Sequence, residues 1–166
     1  MTPTVTSIFY ATAATITVVG TTIASGQGLF IGCPLNLRPE IGGICDHLSN
    51  LASNGQLSLR FGVPSTGLAI AIDDNGKVSL SGSVFTLSDN GDIGQSAARY
   101  EFSVRKVKFW VIDDRVDIKC NVGNCIDVRG PQISTTKISQ TILLFTSENR
   151  SGVEQSLTKL KSLFPD

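Results

Sequence analysis

The chain is predicted to fold as an α+β domain: an antiparallel β-sheet with one early helix and a C-terminal amphipathic helix. Three observations carry this reading. Short segments alternating apolar and polar residues recur through the middle, separated by turn sequences such as Asp73-Asp74-Asn75-Gly76 and Asp89-Asn90-Gly91-Asp92. Two other segments repeat their apolar residues at helical spacing, one beginning at Pro39 and one near the C-terminus. A length of 166 residues with 41% hydrophobic content suits one core, so residues 1–166 are read as a single domain.

Residues 1–37 contain no charged side chain; all 14 Lys and Arg and all 14 Asp and Glu lie from Arg38 onward. Such a segment is either a set of core strands or a membrane or export segment. Residues 5–24 are long enough to cross a bilayer, but their many threonines and Gly20 make a weak lipid-facing helix. The order of residues 8–26, apolar and then small, suits a signal peptide, yet no basic residue precedes it. Thr15-Ile16-Thr17-Val18-Val19 is β-branched throughout, which favours a pleated strand. Residues 5–31 are therefore expected as retained, extended core structure turning at residues 26–28. That preference favours a cytoplasmic chain, with a membrane contact through residues 5–24 or export as the alternative.

The early helix is expected over residues 39–53. Ile41, Ile44, Leu48, Leu51 and Ala52 form one stripe, Pro39 suits the first turn, and Asn54-Gly55 supplies a stop. Strands are expected over residues 56–61, 67–72 and 77–86, with residues 88–95 as a polar connection. In residues 99–112, Tyr100, Phe102 and Val104 share one parity, whereas Val107, Phe109 and Val111 share the other. The slip at Arg105-Lys106 predicts a β-bulge or a strand buried on both faces. Asp113-Asp114 then turns the chain into a strand through Val116, Ile118 and Cys120. A last strand is expected over residues 137–146, central in its sheet because Ile142 to Phe145 are all apolar. In the C-terminal helix, Ser151 and Glu154 have capping-box spacing, and Val153, Leu157, Leu160 and Phe164 form the buried face. Lys159 and Lys161 are expected in water.

Cys33, Cys45, Cys120 and Cys125 are too sparse for a dense disulfide scaffold and lack the close pairs of structural zinc, so unliganded thiols are preferred. Cys120 and Cys125 in particular are expected unbridged. If their strands form a hairpin with the cysteines opposed, Ile118 faces Asp127 and Val116 faces Arg129, which puts charge on an apolar face.

No motif supplies catalytic geometry. His47 is the single histidine, and Cys45 lies two residues from it, so on a helix the two side chains diverge. The acidic turns lack an EF-hand's final carboxylate. No cofactor and no metal are implied. The best candidate surface is basic and aromatic: Arg99, Arg105, Lys106, Lys108 and Trp110, with Tyr100, Phe102 and Phe109 interleaved. The expected function is a non-enzymatic binding or assembly module with a protein partner or self-association. Nucleic acid and anionic lipid are weaker candidates, because net charge is zero and Asp113, Asp114 and Asp117 lie close by. A membrane-anchored or exported accessory protein is the first alternative, and a thiol- or His-dependent enzyme is the second.

Overall fold

The computed structural model describes residues 22–24, 27–29, 33–60, 62, 67–87, 90–131 and 133–166. Within them the α+β reading holds: strands predominate, with an early and a C-terminal helix. β1 (Thr22–Ala24) and β2 (Gln27–Leu29) pair antiparallel, Ala24 opposite Gln27, so Gly28 lies within a strand and not in the expected turn. The remainder of the extended structure expected over residues 5–31 lies outside the described residues.

Helix α1 (Pro39–Ser53) has the expected bounds. Gly55, at φ 70°, accepts the left-handed conformation that ends it, and the Gln56 amide reaches back to Leu51 O at 2.8 Å. Then come β3 (Leu57–Leu59), β4 (Leu68–Ile72), β5 (Lys77–Leu87) and β6 (Ile93–Ser103). The polar connection expected over residues 88–95 is therefore shorter, because β6 runs antiparallel to β5 from Ile93 opposite Leu87. β7 (Val107–Ile112) and β8 (Arg115–Cys120) form a hairpin across Asp113-Asp114, with Asp113 at φ 51°. β9 (Ile126–Gly130), β10 (Ile133–Ile138), β11 (Gln140–Phe145) and α2 (Arg150–Leu163) complete the chain.

The strands form two larger antiparallel sheets, one of order β10-β9-β6-β5-β4 and one of order β3-β11-β8-β7. The chain passes between them at β3–β4, β6–β7, β8–β9 and β10–β11. This alternation corrects several expectations. The parity slip at Arg105-Lys106 is neither a bulge nor a doubly buried strand. A 3₁₀ turn over Val104–Lys106 ends β6 in one sheet and starts β7 in the other, so the buried face changes because the sheet changes. The strand expected over residues 137–146 is two strands parted at Ser139, each in a different sheet. Its apolar half, β11, is central as expected, between β3 and β8.

The same crossing overturns the cysteine reading. β8 pairs with β7 and β11, whereas β9 pairs with β6 and β10. The hairpin register that argued against a bridge does not exist. Cys120 and Cys125 are disulfide-bonded with Cα atoms 5.7 Å apart, closing the loop that carries the chain between sheets. Cys33 and Cys45 form a second disulfide, which fastens the segment before α1 to that helix.

One core lies where the inner faces of both sheets meet the helices. Leu48 of α1, Ile70, Ile72, Leu80 and Phe102 of the five-stranded sheet, Ile118 and Leu143 of the four-stranded sheet, and Leu157 and Leu160 of α2 converge there. Phe102 and Phe109, from opposite sides of the 3₁₀ turn, meet edge-to-face at 6.5 Å. Val153, Leu157, Leu160 and Phe164 are buried as their spacing required. The capping box is not formed. The helix begins at Arg150, behind a 3₁₀ turn over Ser147–Asn149, so Ser151 sits inside it and hydrogen-bonds Gln155.

The β4–β5 turn shows why Asp73 and Gly76 stand where they do. The Asp73 carboxylate accepts the amides of Asn75 and Lys77 at 2.9 and 2.8 Å, forming an Asx-type turn. Gly76, at φ 76°, lies under the Phe164 ring, and a Cβ there would fall 2.7 Å from that ring. Gly76→Ala should therefore cost more than about 2 kcal/mol, combining left-handed strain with displacement of Phe164. Gly91→Ala, at φ 84° but with open space around it, should cost only about 1 kcal/mol. Urea unfolding of both variants checks this; equal losses would contradict the packing role of Gly76.

Candidate functional site

The five predicted site residues separate into two places. Arg99 lies on β6 in the five-stranded sheet, and it is occupied. Its guanidinium is 2.8 Å from Glu101 and its Nε donates to Ser79 Oγ at 2.9 Å. Glu101 is buried on that sheet's outer face, with Lys77 at 3.0 Å and Arg129 at 3.9 Å as further partners. Arg99 and Arg129 stand opposite each other in register, so the carboxylate also relieves a like-charge contact. Arg99 serves this ion cluster.

Arg105, Lys106, Lys108 and Trp110 are gathered by the chain crossing. Arg105 and Lys106 are exposed on the 3₁₀ turn. Lys108, Trp110 and Ile112 alternate on the outer face of β7, with Trp110 42% and Ile112 40% exposed. Lys119 of β8 lies 5.3 Å over the indole ring, a cation–π contact. Opposite Trp110 in register, Asp117 is buried between Arg115 at 3.3 Å and Lys119 at 3.9 Å.

Hydrogen bonds with three residues, Gly76, Asn121 and Lys161, fix the turn. The Val104 amide donates to Gly76 O at 2.8 Å. The Asn121 amide donates to Lys106 O at 2.8 Å, and its side-chain Nδ2 donates to Arg105 O at 3.0 Å. Lys161 of α2 sends its ammonium to Val104 O and Val107 O at 3.0 and 2.9 Å and pairs with Asp166 at 2.6 Å. Lys161 is thus half-buried and engaged, and only Lys159 points to water as expected. The hydrogen bond from Lys161, against some desolvation and with help from Asn121, holds the Asp166 carboxyl below its ordinary value. Sequence reading missed Lys161 because its partners are backbone carbonyls more than fifty positions away.

Between β7 and α2 runs an open groove of about 550 Å³, lined by Lys108, Phe109, Trp110 and Val111 on one wall and Glu154, Leu157, Thr158 and Lys161 on the other. β7 is an edge strand; among the described residues no strand pairs with its outer side.

The catalytic candidates do not converge. Cys45 is buried in its disulfide and offers no thiolate. His47 is exposed on α1, its ring close enough to Gly152 of α2 that a Cβ there would lie 3.0 Å from Nε2. Among the described residues no three His, Cys, Asp or Glu side chains cluster as metal ligands, and no helix is long and apolar enough to cross a membrane. Comparison with protein-family models, with curated proteins and with solved structures returned no match.

The Glu101 cluster yields a pH prediction. Burial pushes the carboxyl up, but the Lys77 hydrogen bond and the charges of Arg99, Lys77 and Arg129 outweigh it, so its pKa lies below the ordinary 4.5. A carboxylate with a depressed folded pKa stabilises fully above its unfolded value, and that contribution is lost as pH falls through the folded one. Glu101→Gln should lower stability by about 1–3 kcal/mol at neutral pH. The gap from wild type should close as pH drops below 4.5. Urea midpoints measured across that range test it; a gap independent of pH would contradict the assignment.

Proposed function

We propose that this chain is a non-enzymatic binding module whose partner is an acidic segment of another protein, held on the surface formed by Arg105, Lys106, Lys108 and Trp110. One observation carries the reading. Arg38, Lys77, Arg99, Arg115, Lys119, Arg129, Lys137 and Lys161 each lie in an ion pair; Arg105 and Lys106, like Arg150 and Lys159 on α2, lie in none among the described residues, and Lys108 acts on the Asp166 carboxylate through its charge without forming one. Three cations within four positions, none of them in an ion pair, stand beside an exposed tryptophan on β7. Tryptophan and arginine are among the side chains that supply anchoring energy in protein interfaces. The surrounding acids, Asp113, Asp114 and Asp117, oppose a polyanion that would cover the whole surface, so a short acidic segment suits it better than nucleic acid or a lipid bilayer.

The two disulfides bear on the setting. Such bonds persist where thiols are oxidised, and an exported chain meets that condition where a reducing cytoplasm does not. This favours the export alternative over the cytoplasmic expectation.

Trp110 is the chain's single tryptophan, so its fluorescence reports this surface without interference. Titration with a glutamate-rich peptide should change that signal. Reversing Arg105 and Lys108 to Glu should weaken binding at least tenfold, the scale of about 1.4 kcal/mol, while thermal stability stays nearly intact. Unchanged affinity in the double variant would remove this surface from consideration. Tighter binding of a single-stranded oligonucleotide or of anionic vesicles would assign it to those partners instead.

A further inference from the structure

We infer that the acidic partner binds by adding an antiparallel strand to the outer edge of β7. This inference rests on the reading of the Trp110 surface as a protein-binding site and specifies how that site is used.

Register fixes which backbone groups are open. Lys106 O accepts the Asn121 amide, so Lys106 and, two positions at a time, Lys108, Trp110 and Ile112 turn their backbone groups toward β8. Val107, Phe109 and Val111 therefore turn theirs outward. Lys161 confirms the phase by capping the outward carbonyl of Val107. That cap also closes the first position of the edge. Among the described residues the amides and carbonyls of Phe109 and Val111 remain without a ladder partner, two donors and two acceptors at the spacing of a β-ladder, bordering the groove against α2. Unpaired strand edges are templates for another chain, and Lys108 beside this one guards it against uncharged or basic strands.

Charge and side-chain alternation then define the occupant. Residues directly opposite in an antiparallel pair share a face. Partner residues bonded to Phe109 and Val111 thus point into the groove, where Leu157 and the stem of Lys161 favour apolar side chains and the carboxylates of Glu154 and Asp166 oppose acidic ones. The intervening partner residues point outward beside Lys108 and Trp110, with Arg105 and Lys106 near the end of the strand, and these call for acids. The segment that fits alternates acidic and apolar residues.

The test uses the whole chain and an octapeptide alternating glutamate and valine. Binding should slow amide hydrogen exchange at Phe109 and Val111 at least tenfold, with little change at Lys108 and Trp110, whose amides already face β8. N-methylation of the peptide's valines should weaken binding at least tenfold, because their N–H groups would donate to β7; N-methylation of its glutamates should not. Equal binding of both methylated peptides, with loss on Lys108→Glu, would overturn strand addition while leaving the acidic surface standing. No binding, or binding indifferent to Lys108→Glu, would overturn both. A concentration-dependent increase in mass abolished by Val111→Pro, without peptide binding, would assign the edge to a second copy of the chain and overturn the inference of an acidic partner.

Discussion

The ammonium of Lys161, held between the carbonyls of Val104 and Val107, fixes the point at which this chain leaves one sheet for the other. Val104 and Val107 are fully buried on either side of a single turn, so the backbone between them must reverse its buried face within three residues. A 3₁₀ turn does this with the Val107 amide bonded to Val104 O, and it takes the carbonyls of the turn out of the ladder, where buried carbonyls need partners. α2 supplies one cation to both Val104 O and Val107 O. Asn121, at the mouth of the Cys120–Cys125 loop, supplies the Arg105 and Lys106 carbonyls with donors. The side chains of Arg105 and Lys106 face solvent.

The candidate surface follows from that crossing. A turn satisfied from the inside starts β7 at the edge of its sheet, and the helix that satisfies it lies alongside as the second wall of a groove. The disulfide Cys120–Cys125 restrains the return crossing from β8 to β9 next to the same turn. A surface already ordered before binding loses less freedom when a partner binds. The ion cluster around Glu101 has the opposite character: its cations are already neutralised by a buried carboxylate, so Arg99 stabilises a sheet and offers little to a partner.

Much of this was legible in local sequence, and the rest was not for definite reasons. Pro39 and Asn54-Gly55 delimited α1 because helix ends are set by neighbouring residues. Val153, Leu157, Leu160 and Phe164 marked the buried face of α2 by spacing alone. The parity slip at Arg105-Lys106 was detectable, but its meaning was not, since alternation tells which face a residue takes and not which sheet the strand joins. The pairing of Cys120 with Cys125 was misread for the same reason: the opposing case assumed that sequential strands β8 and β9 pair. Among the predicted site residues, Arg105, Lys106, Lys108 and Trp110 proved neighbours because they are neighbours in sequence. Arg99 proved separate because the sheet boundary falls between Ser103 and Val107.

The dependence of the crossing on Lys161 is open to direct measurement. Lys161→Met keeps the buried stem and removes the charged donor, and Lys159→Met makes the same change on the solvent side of α2. Urea unfolding combined with native-state amide exchange should show Lys161→Met less stable by about 2–3 kcal/mol, with faster exchange at Val104, whose amide bonds Gly76 O across the turn. Lys159→Met should stay within about 0.5 kcal/mol of wild type. Equal stability of the two variants, with Val104 exchange unchanged, would contradict the account of the crossing and of the surface built on it.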